Sequence, residues 1–358
     1  MQPAPRIGRL VSGARDLISD VAGVSVGHCT LAEGPLQTGV TVVRPHAGDP
    51  YRDRVPAAAV VINGFGKSVG LMQLAELGVL ETPIALTNTF AVGAVAQAQV
   101  QACVAGNPGC GRRLPSVNPL VFECNDGTLN DMQAMAIGQA HYRDAFDAAA
   151  ADFAQGAVGA GRGMSCFGAK GGIGSASRVA AGFTVGALVL ANFGRPEQLI
   201  LAGRPLGARL VEALAAAGQR GAQAAAGEPP IRDEPERGSI IMLLATDAPL
   251  DARQLRRLAL RAGAGLARTG SVFGHGSGDV ALAFSTACTL PQDPARPMPA
   301  VALLHDARLD PLFQAAADAT EQAIVHALWH AQTVVGRDGA CRRALRELLP
   351  LDPGPARD

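Results

Sequence analysis

One junction constrains this chain more than any other: a charged segment passes into a buried strand at a single peptide bond, Gly238–Ser239. Residues 232–237 read Arg-Asp-Glu-Pro-Glu-Arg and show no apolar periodicity. Residues 240–246 read Ile-Ile-Met-Leu-Leu-Ala-Thr, an apolar run that is typical of a strand buried on both faces. In most proteins a Gly-Ser pair at such a place is simply a surface loop that enters a core strand.

The alternative is that the Gly238–Ser239 bond is cleaved. Ser239 would then begin a new chain and would carry a hydroxyl and an α-amine on one residue. A hydroxyl activated by such an amine is an established nucleophile for acyl transfer. The junction alone leaves both readings open, so the rest of the chain has to separate them.

Composition excludes several classes of function. The 358 residues carry 31 basic and 31 acidic side chains, so no bulk charge favours nucleic acid or an anionic membrane. No apolar run reaches the ~20 residues of a membrane helix. No apolar signal segment follows Met1, and the seven cysteines have no C-x-x-C spacing. These features predict a cytoplasmic protein with reduced thiols.

Predicted strands cluster along the chain more than they alternate with helices, which favours layered sheets covered by helices over a doubly wound parallel sheet. The apolar runs predict strands at residues 57–63, 84–89, 117–124, 179–191, 240–246, 280–285 and 300–304. Residues 310–335 are predicted to form a closing helix. Residues 215–238 are predicted to be a mobile linker.

Motifs for nucleotide and metal chemistry are incomplete. Lys170 does not have the P-loop spacing, and the glycines at 159–163 fit the dinucleotide fingerprint only until its last position. His326 and His330 stand four residues apart without a third ligand nearby, so an amphipathic helix surface is favoured over a metal site. No G-x-S-x-G elbow is present. We therefore expect neither a cofactor nor a metal.

Polar side chains stand repeatedly where predicted strands begin or end. Glu123 ends one strand, just before Asn125, and Asn192 follows the longest apolar run. Ser277 and Asp279 precede the strand at 280–285. Each of them, taken singly, is more often a cap or turn residue than a catalytic one. Their repetition at strand ends favours a shared cleft.

Segments spread over nearly the whole chain carry a resemblance to a known family. They are Ile18–His28, Asn63–Gly70, Thr82–Thr89, Glu123–Gly127, Cys166–Gly174, Ala191–Gly194, Gly238–Ile241 with Ala245–Pro249, Ser277–Asp279 with Ala283–Thr286, and Ala319–Ile324 with Gly336–Gly339. In these segments the chain resembles the self-processing aminopeptidases that include the L-aminopeptidase/D-Ala-esterase/amidases and the β-peptidyl aminopeptidases.

The resemblance implies an α/β (α+β) fold, a four-layer α-β-β-α sandwich related to the N-terminal nucleophile hydrolases and to the ornithine acetyltransferases. It also implies cleavage at Gly238–Ser239 into a larger chain, 1–238, and a smaller chain, 239–358. The two chains would stay together as one integrated domain, and such units would form a homo-oligomer. The implied substrates are short peptides, amino-acid amides or esters.

The resemblance also assigns roles to residues. Ser239 falls on the family nucleophile and Asn192 on the asparagine of the oxyanion hole. Ser277 and Asp279 fall on the serine and carboxylate that assist proton transfer. Glu123 falls on the acidic residue that receives the free amine of the substrate. No histidine is required, because an α-amine with a pKa of ~7.7–8.0 is partly free base at neutral pH.

Three positions depart from the family pattern. Asp279 stands where a glutamate is expected, which shortens the reach by one methylene. Asn125, at the substrate side, stands where some members carry a catalytic tyrosine. Arg162 interrupts a glycine loop that is expected to hold a smaller residue.

Two further hypotheses belong to other classes of protein. One is acyl transfer to an amine acceptor, as in the ornithine acetyltransferases, but those use a threonine nucleophile and this chain has Ser239. The other is a non-catalytic binding protein that keeps the fold and stays uncleaved.

We predict self-cleavage at Gly238–Ser239. Dividing 36.5 kDa in proportion to chain length gives fragments of roughly 24 and 12 kDa on a denaturing gel. Ser239→Ala is expected to leave a single band, because the attacking hydroxyl is gone. Two bands from this variant would mean that an external protease makes the cut.

Overall fold

The computed structural model describes residues 3–218 and 237–350 of the chain. Its strands, in chain order, are β1 (Ser25–Glu33), β2 (Leu36–Arg44), β3 (Asp53–Gly64), β4 (Val79–Leu80), β5 (Ile84–Asn88), β6 (Leu120–Cys124), β7 (Ser165–Cys166), β8 (Ala169–Lys170), β9 (Gly172–Ala180), β10 (Phe183–Asn192), β11 (Ile200–Leu201), β12 (Arg204–Pro205), β13 (Arg237–Thr246), β14 (Gly276–Ser285), β15 (Leu290–Pro291), β16 (Val334–Val335) and β17 (Cys341–Arg342). Its α-helices are α1 (Leu71–Leu77), α2 (Val92–Gly106), α3 (Gln139–Asp147), α4 (Gly207–Ala216), α5 (Ala252–Arg268), α6 (Asp310–Trp329) and α7 (Leu345–Leu348).

Two large sheets organise these elements. The smaller sheet has the order β1-β2-β5-β6, and only its β5–β6 pair is parallel. The larger sheet has the order β15-β3-β14-β13-β10-β9, with β4 beside β3. Its β13–β14 pair is parallel and its other pairs are antiparallel. Two-residue connections join the antiparallel pairs β1–β2 and β9–β10, whereas the parallel strands β13 and β14 are joined through helix α5.

The two sheets pack face to face and a helical layer covers each outer face. One apolar cluster fills the space between the sheets, with Phe122 from β6 and Leu243 from β13 among its members. A second cluster joins the larger sheet to α5 and α6, and a third joins the smaller sheet to α2 and α3. The predicted four-layer α-β-β-α sandwich is confirmed.

Residues 240–245 of β13 are apolar at every position because both faces of the strand are buried. Met242 and Leu244 belong to the cluster under the helices, whereas Leu243 and Ala245 belong to the cluster between the sheets. All four side chains are buried. Successive side chains of a strand point to opposite faces, and here each face meets a packed layer.

The prediction of one long strand at 179–191 is wrong. The chain reverses at Ala181 and Gly182, so that β9 and β10 form an antiparallel hairpin. Both residues have positive φ, 52° and 84°, which is the backbone of a type I′ turn. Because Ala-Gly is a weak signal for this turn and both flanks are apolar, the sequence conceals the break.

The prediction of a strand at 300–304 is also wrong. These residues make no β-ladder, and the segment is tied to the fold by the amide of Leu304, which donates to the carbonyl of Pro249 at 3.0 Å. Pro299 directly precedes the segment, and a proline has no N–H to give to a ladder. An apolar run beside prolines can thus pack without pairing.

The predicted linker, residues 215–238, lies mostly outside the described residues. Its first two residues are the end of α4, and its last two begin β13. None of the described helices combines the length and the apolar content needed to cross a bilayer.

We predict that Gly174→Ala destabilises the fold by roughly 1–3 kcal/mol, the usual cost of overpacking a core. A Cβ on Gly174, in β9, would overlap the carbonyl oxygen of Ala323, because α6 crosses this strand in backbone contact. Gly93→Ala is the control, since a Cβ there meets nothing within 4 Å. Urea unfolding should separate the two variants; equal free energies of unfolding would contradict the close approach.

Candidate active site

Strand register brings the predicted site residues to one end of the larger sheet. In the antiparallel β10–β13 pair, Asn192 lies opposite Ser239. In the parallel β13–β14 pair, Ser239 lies opposite Gly278, and Gly278 in turn lies opposite Gly64 of β3. Four neighbouring strands therefore place their ends around Ser239.

Ser239 is buried, with 5% of its surface exposed. Its Oγ donates to the carbonyl oxygen of Gly238 at 2.6 Å and accepts from the amide of Gly278 at 3.2 Å. A Cβ on Gly278 would lie 3.0 Å from this Oγ and 2.8 Å from the carbonyl oxygen of Phe65. The position opposite Ser239 therefore has to be a glycine if the hydroxyl is to reach both backbone groups.

Ser277 and Asp279 form a buried pair next to Ser239. The Ser277 hydroxyl donates to Asp279 Oδ1 at 2.6 Å. Because side chains alternate along β14, these two share one face of the strand and Gly278 belongs to the other. In the parallel ladder Ser277 lies opposite Gly238 and Asp279 lies opposite Ile240, the two neighbours of Ser239.

Asn192 is held by backbone groups on both sides of its amide. Its Oδ1 accepts from the amide of Ser165 at 2.8 Å, and its Nδ2 donates to the carbonyl oxygen of Asn125 at 3.0 Å. An amide that faces one donor and one acceptor has a defined orientation. Nδ2 carries two hydrogens, so a second donor position is available beside Ser239.

Glu123 reaches the site from the smaller sheet. Its Oε1 accepts from the amide of Lys67 at 2.8 Å and its Oε2 accepts from the hydroxyl of Thr89. A Cβ on Gly66 would lie 3.5 Å from Oε1 and 4.0 Å from the Cα of Gly278, so this glycine loop lies between the carboxylate and β14, the strand beside the nucleophile strand. A carboxylate accepts about four hydrogen bonds, which leaves room for a cationic group.

Asn125 and Arg162 complete the predicted set. Asn125 touches Asn192 through its main-chain carbonyl, while its own exposed side chain accepts from the amide of Gly127 at 2.9 Å. Arg162 is half-buried, and its Nε donates to Gln37 at 2.7 Å. Burial lowers the pKa of the Arg162 guanidinium.

The comparisons with known proteins now decide the family. The sequence model of peptidase family S58 matches residues 16–342. This chain belongs to peptidase family S58. It is therefore a hydrolase that acts on peptide bonds, and the resemblance drawn from the sequence is confirmed.

Characterised relatives are similar over most of their length. The beta-peptidyl aminopeptidase BapA of Sphingosinicella microcystinivorans is 40% identical over 91% of this chain and 84% of its own. A beta-aminopeptidase structure from a Burkholderia species has a TM-score of 0.84 and 41% identity, over 95% of this chain and 94% of that one. The L-aminopeptidase D-Ala-esterase/amidase of Ochrobactrum anthropi has a TM-score of 0.83 and 34% identity, over 96% of both chains, and its fold is described as a new variant of the Ntn hydrolase fold.

Some groups of the candidate site were not found from the sequence. The backbone amides of Ser165, Lys67 and Gly278 carry no signal of their own, because any residue except proline could supply them. Lys170 did carry a signal, since it is one of only two lysines and stands inside a glycine-rich segment. The P-loop comparison excluded it as a nucleotide ligand and left its role open.

The two histidines singled out from the sequence lie on α6. His326 is buried rather than on a helix surface, and its Nδ1 contacts the carbonyl oxygen of Ser175 at 2.7 Å. Burial lowers the pKa of both histidines, and that of His330 falls to about 4. Among residues 3–218 and 237–350, no three His, Cys, Asp or Glu side chains are grouped so that they could hold a metal.

Asp126, next to the site, is a buried carboxyl. Its Oδ1 accepts from the side-chain amide of Asn130 at 3.0 Å, and hydrogen bonds from Thr38 and Asn130 oppose the effect of burial on its pKa only in part. Burial raises the pKa of Asp126 from 3.8 to about 6. The ionised form is therefore less favourable in the folded protein than in the unfolded chain.

We predict that Asp126→Asn becomes more stable relative to the wild type as pH rises from about 4 to about 6. A folded pKa near 6 means that the wild type loses stability over this range, by ~3 kcal/mol for a shift of ~2 pKa units. Above pH ~6 the difference is expected to stay constant. Urea unfolding at several pH values, with both proteins in the same state of cleavage, measures it. Parallel stability curves would contradict the raised pKa.

Proposed function

We propose that this S58 peptidase is a self-processing serine aminopeptidase that releases the N-terminal residue of short peptides, amides or esters through an acyl-enzyme on Ser239. One observation carries the proposal: Ser239 lies at the mouth of a buried strand with Asn192 on one side, while a buried carboxylate, Glu123, lies beyond a glycine loop on the other. A nucleophile, an oxyanion donor and an anchor for an ammonium group are thus collected in one place.

The first step is cleavage of the chain itself. The Ser239 hydroxyl lies against the carbonyl group of Gly238, and attack on that carbon moves the acyl group from nitrogen to oxygen. Water then hydrolyses the ester, which leaves the Gly238 carboxylate and the free α-amine of Ser239. Because β13 is paired with both β10 and β14, the chains 1–238 and 239–358 remain one domain after the cut.

In the cleaved enzyme the α-amine acts as the base for its own hydroxyl. The hydrogen-bonded Ser277–Asp279 pair supports the proposal, because its two residues lie opposite Gly238 and Ile240, on either side of Ser239 in the ladder. Ser277 relays the proton or steadies the amine, and Asp279 stabilises the ammonium state. The proton then passes to the leaving amine of the substrate, and water releases the acyl group.

Asn192 stabilises the negative charge that develops on the carbonyl oxygen of the substrate. Its side-chain amide is held at Oδ1 by the Ser165 N–H and at Nδ2 by the Asn125 carbonyl, so the donor is oriented before the substrate arrives. Such preorganised donors are worth most when they need not rearrange during the reaction.

Glu123 confers the preference for a free amine. The carboxylate is buried and accepts two hydrogen bonds from Lys67 and Thr89, neither of which neutralises its charge. A substrate ammonium supplies the missing cation. Relatives named beta-peptidyl aminopeptidase and L-aminopeptidase support this specificity, and the beta-peptidyl names make β-amino acids candidate N-terminal residues.

We further propose that the two-chain units form a cytoplasmic homo-oligomer. None of the seven cysteines, all of which lie in the described parts of the chain, forms a disulfide, which suits a reducing compartment. Large apolar side chains are exposed on several surfaces, Met72 at 89% being one of them. Light scattering of the purified protein gives the number of units.

We predict that N-acetylation of the substrate lowers kcat/KM by at least ten- to a hundredfold. Leaving a buried carboxylate without its cationic partner costs at least ~1.5–3 kcal/mol, at ~1.4 kcal/mol for each factor of ten. Glu123→Gln should cost a similar factor on free-amine substrates and little on acetylated ones. The measurement is p-nitroaniline release from the p-nitroanilides of alanine and β-alanine and from their N-acetyl derivatives.

The four rates for each amino acid form a double-mutant cycle between enzyme and substrate. Additive losses would mean that Glu123 does not meet the amine. Equal hydrolysis of free and acetylated substrates by the wild type would rule out aminopeptidase specificity and indicate a general amidase.

A further inference from the structure

Lys170 is a fully buried cation with a complete set of acceptors. None of its surface is exposed, and its Nζ donates to the carbonyl oxygens of Gly161, Met164 and Gly171 at 2.9, 2.7 and 2.8 Å. An ammonium group has three N–H donors, whereas a neutral amine has two and a lone pair. Burial, and next the charge of Arg162, lower the pKa of Lys170 well below its ordinary value, while Asp126 opposes this shift. The three carbonyl acceptors at these distances match the ammonium form.

One of these acceptors leads directly to the active site. The Met164 carbonyl and the Ser165 N–H belong to the same peptide group. Lys170 Nζ binds the oxygen of this group at 2.7 Å, and its N–H donates to Asn192 Oδ1 at 2.8 Å. A continuous chain of hydrogen bonds thus runs from the ammonium, through one peptide group, to the amide of Asn192.

We propose that Lys170 is a positioning residue for the oxyanion donor, which it orients and polarises through the Met164–Ser165 peptide. The inference rests on the proposed role of Asn192. A cation at the carbonyl oxygen makes the peptide N–H a stronger donor, and a stronger hydrogen bond to Oδ1 makes Nδ2 a stronger donor in turn. The same contacts fix the loop from Gly161 to Gly171, which carries Ser165.

Because burying the Lys170 ammonium is costly, we infer that its charge has a function. An ammonium removed from water is expensive, and a well-packed apolar side chain would commonly serve stability as well or better. The fully buried Arg178 offers a contrast, because the hydrogen bonds of its guanidinium go to Asp16, to the carbonyls of Ser177 and Ile7 and to Gln322, rather than to a group that holds Asn192. Arg178 ties the N-terminal segment to α6, whereas Lys170 ties a loop to the catalytic strand end.

The test compares Lys170→Met with the matched control Arg178→Met in cleaved enzyme, cleavage being verified by intact mass. Both variants leave buried acceptors without a donor, so both are expected to melt at lower temperature. Only Lys170→Met is expected to lower kcat, by about 10- to 100-fold at little-changed KM, which is less than the roughly 10²–10³ expected for removing the donor itself. Equal kcat in the two variants would overturn the proposal.

Combining Lys170→Met with Asn192→Ala separates this inference from the proposed function. If Lys170 acts through Asn192, its replacement changes kcat less than twofold once the asparagine is gone. Additive losses would overturn the relay while leaving Asn192 as the donor. An Asn192→Ala enzyme with normal turnover would instead refute the role of Asn192 itself.

A measurement on the unaltered side chain covers the case in which Lys170→Met fails to fold or to cleave. The chain has only two lysines, so ¹⁵Nζ-lysine labelling gives two ammonium signals, and Lys67→Arg assigns them. Alaninal, the aldehyde of alanine, would form a hemiacetal with Ser239. Its addition is expected to shift the Lys170 signal in the wild type and not in Asn192→Ala. Three outcomes would overturn the proposal. The Lys170 signal could be lost to exchange with water, it could stay unmoved in the wild type, or it could shift equally in the wild type and in Asn192→Ala.

Discussion

The pairing of β13 with its two neighbours is the interaction on which the rest of the structure depends. Its antiparallel register with β10 sets Asn192 beside Ser239, and its parallel register with β14 sets Ser277 beside the bond that precedes Ser239. A slip of one residue would turn Ser239 from the space between the sheets toward the helical layer. Burial of β13 on both faces prevents such a slip, because every side chain of the strand would exchange its packed surroundings.

The site also requires that backbone segments come close to the catalytic side chains. Gly278 lets the Ser239 hydroxyl reach a backbone amide, and Gly66 lets the loop between Glu123 and β14 pass without a side chain. The site is therefore made as much by backbone groups as by side chains. The amides of Ser165 and Lys67 orient Asn192 and Glu123, and neither polar side chain depends on a mobile partner to hold its position.

The sequence could predict those features that leave a local signal in the chain, and not those that depend on contacts between distant segments. The strand after Ser239 and the layered sheets were predictable, because burial on both faces leaves a continuous apolar run. The β9–β10 hairpin was not, because its turn has no strong local signal. The contacts of Lys170 were not predictable either, since they depend on the path of a glycine-rich loop. The grouping of Glu123 with Ser239 followed only from the family resemblance, because it joins two different sheets.

The most direct test of the proposed acyl-enzyme on Ser239 is to find which chain holds the acyl group during turnover. Cleaved enzyme is mixed with an alanine ester, quenched in acid within the first turnover, and its two chains are weighed by mass spectrometry. We expect the smaller chain, 239–358, to gain the mass of one alanyl group, and we expect peptide mapping to place this group on Ser239. An adduct on the larger chain, or an initial burst of product with neither chain modified, would contradict this expectation.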